Sequence, residues 1–104
     1  MSTKKTATTL APLVVTTLHK GVFFGYGEKP TGDCPKSIRI ERAQMCVSWA
    51  TSIHGVLGLA ATGPDNNCKI GPAVPSITLS DVTSVMEASD EAAAAWEKEG
   101  KRKW

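Results

Sequence analysis

The most reactive side chains in this 104-residue chain are three cysteines, Cys34, Cys46 and Cys68, and two histidines, His19 and His54. A thiolate beside an imidazole makes a nucleophile, and close pairs of such groups hold zinc. Neither arrangement is spelled out. The cysteines form no C-x-x-C pair and the histidines no H-x-x-H, and any small protein contains a residue like Cys46 or Ser48 together with a distant histidine. Cys46, inside MCVSW, reads as a small buried apolar residue. Cys34 in GDCP and Cys68 in NNCK lie in turn-like segments, so a disulfide is one pairing open to them, opposed by a reducing cytoplasm. The expectation is a non-enzymatic protein with no catalytic residue, no metal and no cofactor. A small hydrolytic enzyme ranks behind it for want of converging acid, base and nucleophile.

Phosphate chemistry needs cations, glycine-rich turns or aromatic platforms. In HKGVFFGYGEK, Lys20, Gly21 and Phe24 fit an RNA-binding strand. Val22, Phe23 and Gly25 do not fit it, and Gly27 stands where the last aromatic belongs. No helix follows the first strand, so a β-hairpin is the better reading. The glycines of GVLGLAATGP match neither the dinucleotide fingerprint nor the P-loop. A ligand there would meet turn amides at Thr62, Gly63 and Pro64. The tail KEGKRKW clusters Lys101, Arg102 and Lys103 before Trp104, a solvated end or an anchor for phosphate or an acidic partner. A nucleotide or RNA binder would use Lys20, Lys69 and this tail. The formal net charge of +2 gives that class no general support.

The elements that must position these residues are mostly strands. MSTKKTATT reads as a polar arm within residues 1–12, held in place by a neighbouring subunit. LVVTTL and VFFGY make a hairpin, with Val22, Phe24 and Tyr26 on one face and Phe23, Gly25 and Gly27 on the other. Gly25 and Gly27 leave room for a close neighbour or a bulge. EKPTGDCPK is a loop. SIRIE and MCVSWA are strands, the second with Met45, Val47 and Trp49 on one side. IHGVLGLAAT follows as a further strand with Ile53, Leu57 and Leu59 on one face. TGPDNNCKIGPAVP is a breaker-rich loop, and SITL and VTSVME are short strands, though DVTSVMEA also carries a helical pattern. Residues 13–88 thus make the β domain. A helix spans 89–99 with Ser89 as N-cap, Asp90 and Glu91 in its first turn, and Ala92, Ala93 and Trp96 as its apolar stripe. Residues 100–104 are a basic tail.

The runs HKGVFFGYGE, RAQMCVSW, HGVLGLAATGP, CKIGPAVPSITLSDVTSVMEAS and EAAAAWE resemble a family of small uncharacterised proteins widespread in bacteriophage and prophage genomes. The resemblance covers about His19 to Glu97 and implies a phage-type setting, with no functional residues to carry over.

No apolar run approaches the roughly 18 residues of a membrane span, and LAPLVV makes a poor signal-peptide core. Host cytoplasm or virion is the expected location. A chain of this size buries only about two-thirds of its unfolded surface, so self-association would add stability. The fold expected is mainly β: a small antiparallel sheet or open barrel with one C-terminal helix. Its edge strands and glycine-rich faces are expected to pair or pack between subunits. The function expected is binding or structural, as a homo-oligomer or with a phage structural or host protein. Trp49, His54 and the Gly55–Gly63 segment lie near its functional surface.

Overall fold

A computed structural model of the chain describes residues 10–18, 21–49, 53 and 55–101. The elements run β1 (Ala11–Thr17), β2 (Val22–Gly27), β3 (Ile38–Ser48), α1 (Gly55–Ala61), β4 (Lys69–Ile70), β5 (Val74–Leu79), β6 (Val82–Glu87) and α2 (Asp90–Glu99). Every strand pairing is antiparallel, and the fold is mostly β as the sequence implies.

The sheet is ordered β6-β1-β2-β3, and the far edge of β3 carries both β5 and β4. The chain leaves β3 at Pro72 and Ala73, after the Gly71 amide donates to the Met45 carbonyl at 2.9 Å, so β5 pairs with Ile38–Ala43 and β4 with the end of the strand. β5 and β6 stand on opposite sides of this order, yet only Ser80 and Asp81 separate them. The sheet must therefore curl until its margins meet at that corner. The curl encloses Leu13, Val15, Ile40, Ala43 and Leu79. The loop of residues 28–37 runs back along the outer margin of β6, tied by Lys29 to Glu87 (3.6 Å) and by the Val82 amide donating to the Lys36 carbonyl (3.1 Å). That margin is covered by the chain's own loop, at least at its two ends.

The outer face of the sheet carries a second core. Val14, Phe24 and Cys46 pack there with Leu59 and Ala60 of α1 and Ala92, Ala93 and Trp96 of α2. α2 forms as its caps imply: Ser89 Oγ accepts from the Ala92 amide at 2.9 Å, and Gly100 closes the other end. Trp96, fully buried, stacks on Phe24 with centroids 5.2 Å apart and donates its indole N–H to the Leu59 carbonyl at 3.0 Å. One aromatic thus fastens α2 to both the sheet and α1.

Two sequence expectations change. The segment after β3 is a helix: Leu59 and Ala60 face the core while Leu57 is exposed, a spacing of helix rather than strand. Short apolar runs of Gly, Leu and Ala satisfy both periods, and alanine favours the helix. SIRIE and MCVSW belong to one strand, interrupted by a bulge in which Gly25 lies between the pairs Phe24–Gln44 and Tyr26–Glu41. At Gly25 and Gly63 the close neighbour is the chain itself. A Cβ on Gly25 would come within 2.8 Å of Ile40 Cδ1, and one on Gly63 within 2.9 Å of the Ala92 backbone. The cysteines are all free, so Cys34 and Cys68 do not pair; Cys34 is exposed and Cys68 buried.

Candidate functional site

The bulge in β3 organises the molecule's polar cluster. Arg42 sits in it with φ of 51°, a left-handed conformation that side chains other than glycine's rarely adopt. The extra residue shifts the phase of the strand. Before it Ile38 and Ile40 point into the curl; after it Ala43 does, and Gln44 and Cys46 turn to the helices.

Arg42 then lies over Tyr26, its guanidinium carbon 3.9 Å from the ring centroid. The Tyr26 hydroxyl donates to Glu97 Oε2 on α2, and Arg42 Nη1 stands 3.9 Å from the same oxygen. Burial and the Glu97 carboxylate push the Tyr26 phenol up to about 12. Gln44, though polar, is 3% exposed and donates Nε2–H to the Trp96 carbonyl at 2.9 Å. β2, β3 and α2 thus each supply a member of one cluster. Beside it is a pocket of about 210 Å³ lined by Arg42, Gln44, Ala73, Glu97, Gly100 and Lys101. A wider groove of about 920 Å³ adjoins Tyr26 between the 28–37 loop and the start of β3.

The opposite face of the same strand differs. Val85, Val15, Phe23 and Met45 are successive partners across β6, β1, β2 and β3, so they form one row on the inner face. Val15 is fully buried, but Met45 is 45% exposed; past it the register slips a second time between Cys46 and Ser48, and Val47 and, after the strand ends, Trp49 are 53% and 38% exposed. The curl closes over one end of this face and leaves the other bare.

The residues singled out in the sequence do not converge. Trp49 follows the end of β3 and is 38% exposed. Lys69 is exposed on β4 opposite Ser48, and Lys101 lines the small pocket. Thr62 is exposed after α1, but its amide donates to the Gly58 carbonyl, as does that of Gly63. Gly63 itself is buried against α2, so this turn does not offer the free amides expected of it. Lys20, His54, Arg102 and Trp104 lie outside the described residues, as do His19 and the arm of residues 1–9. Cys46 donates its S–H to the Ser48 carbonyl, and burial pushes its thiol up to about 12, unfit for a nucleophile at neutral pH. Tyr26, Arg42, Gln44 and Glu97 were not anticipated. The one sequence signal for them is the slip in alternation between SIRIE and MCVSW.

A curled antiparallel sheet with two helices on its outer face, one polar cluster and one bare apolar row defines a small α+β module. The chain belongs to the family described as a domain of unknown function, DUF6948, whose model matches residues 10–96. The matched span opens just before β1 and closes at Trp96, the residue that docks α2. Searches of curated proteins and of solved structures return no match. Among the described residues no helix is long and apolar enough to cross a membrane.

Proposed function

We propose that the protein is a non-catalytic assembly module that joins a second copy of itself through the bare half of β3. The observation that supports this is the exposure of Met45, Val47 and Trp49, close together in sequence at one end of the sheet. Contiguous apolar surface of this kind marks contact sites more often than isolated exposed residues do. The partner of choice is another copy, because a single row of apolar residues is self-complementary about a two-fold axis and carries no charge of its own. A net charge of +2 puts up little opposition.

Magnitudes set the strength. Burying the exposed half of such a side chain contributes about 1 kcal/mol, so six across two copies contribute about 6 kcal/mol. Lost rigid-body freedom costs at least about 4 kcal/mol. The surplus of about 2 kcal/mol is less than the about 4 kcal/mol that pairing at 1 mM requires, so these side chains anchor a contact to which the flanking backbone and polar groups must add the rest. In the phage-type setting implied by the sequence resemblance, a virion component suits such a contact, because weak contacts add when many copies assemble.

Light scattering across a concentration series tests the reading. The mass should climb from 11.0 kDa towards twice that value as the protein is concentrated. Val47→Lys should hold the mass at one chain throughout. A wild-type chain that stays monomeric into the millimolar range contradicts the proposal.

A further inference from the structure

The geometry points to an oxyanion-binding site between the β3 bulge and the end of α2, with the Arg42 guanidinium as its recognition group and a phosphate or carboxylate of a small molecule as its ligand. The site lies on the helix-covered side of the sheet and does not rest on the assembly proposed above.

The first argument is the inventory of donors. A guanidinium has five N–H groups arranged to grip an oxyanion. Among the described residues the Arg42 guanidinium makes no hydrogen bond: its Nη1 is 3.9 Å from Glu97 Oε2, a charge contact too long to be one. That oxygen already accepts the Tyr26 hydroxyl. Gln44 spends one amide N–H on the Trp96 carbonyl and has another, and Lys101 adds three donors to the same pocket. Donors outnumber acceptors, and the cations Arg42 and Lys101 outnumber the anion Glu97.

The second argument is positioning. Arg42 is held in a left-handed bulge, which costs a non-glycine residue about 1 kcal/mol or more. Opposite it, Gly25 has no Cβ to oppose the approach of Ile40 and the Glu41 carbonyl, so the bulge closes tightly. The Tyr26 ring then fixes one face of the guanidinium and leaves its edges free. Bulges in sheets recur where a side chain must be re-aimed at a site.

Size narrows the ligand. The pocket's 210 Å³ is below the roughly 300 Å³ at which sites for whole drug-sized molecules begin. It holds the charged group of a ligand, with the remainder outside.

The test is an NMR titration of the full chain with inorganic phosphate and, separately, with succinate, following the Arg42 Nε–H. A saturable shift is expected with one or both; phosphate alone assigns a phosphoryl ligand and succinate alone a carboxylate. Arg42→Lys, which keeps the charge and loses the planar fork, should weaken binding about tenfold. Glu97→Gln removes the competing carboxylate and should tighten it severalfold, a gain that a purely structural Arg42–Glu97 pairing does not produce. Absence of a saturable shift with both anions, or a Glu97→Gln variant that folds and binds no tighter, overturns the assignment.

Discussion

Two faces of one strand, a residue apart, are treated in opposite ways. On the outer face of the second half of β3, Gln44 and Cys46 are 3% and 4% exposed beneath the helices. Met45 on the inner face, and Val47 and Trp49 beyond the second slip, are 45%, 53% and 38% exposed. A polar amide is buried while methionine, valine and tryptophan are left out, the reverse of what polarity alone assigns. The difference lies in what arrives to cover each face. α2 brings Trp96, whose carbonyl gives Gln44 a partner and whose ring covers Phe24. Among the described residues, Leu79 and Val85 pack into the core on the inner face, while Met45 and Val74 stay 45% and 44% exposed.

The largest effect should come from removing what covers the outer face. Trp96→Ala empties the centre of that core and cuts the indole bond to α1, and should lower stability by about 3–5 kcal/mol in urea denaturation. Gln44→Ala removes one of two donors from the Trp96 carbonyl, which keeps the Gly100 amide, and should cost about 1.5 kcal/mol. Tyr26→Phe, losing only the bond to Glu97, should cost about 1 kcal/mol near neutral pH.

That variant also sharpens the pH dependence. The Tyr26 phenol titrates at about 12 in the folded chain against 10.0 for the free group. Its contribution is therefore complete below pH 10 and lost as the pH rises from 10 towards 12. Cys46, raised from 9.0 to about 12 chiefly by burial, acts in the same sense from pH 9 upward. Denaturation followed through this window should show a shallower loss of stability in Tyr26→Phe, with the Cys46 part remaining. The smallest effect is on the inner face: Met45→Gln should change the stability of the isolated chain by no more than about 0.5 kcal/mol. A large loss in dilute Met45→Gln would mean that Met45 already has a partner within its own chain.

Much of this arrangement was legible in the residue order. Alternation in VFFGY separated Phe24 and Tyr26 from Phe23, and Ser89 with Asp90 and Glu91 marked the start of α2. The glycines of β2 announced a close approach, which Ile40 supplies. α1 was not legible as a helix, because a short run of glycine, leucine and alanine fits either period and only its packing under α2 decides. The polar cluster was hidden for a related reason. Nothing in IERAQM punctuates the strand as glycine or proline does, so a left-handed arginine leaves only a phase slip as its trace. Met45, Val47 and Trp49 could be placed on one side, but not on a bare one; exposure depends on where the curl stops, which no local pattern encodes.

The central claim concerns one side chain's surroundings, and NMR of methionine methyl groups reads them directly. The chain has three methionines, of which Met45 and Met86 lie among the described residues. With a soluble paramagnetic probe, the Met45 methyl should be shielded at millimolar protein and become accessible on dilution. A Met45 methyl fully open to the probe at every concentration would contradict the account.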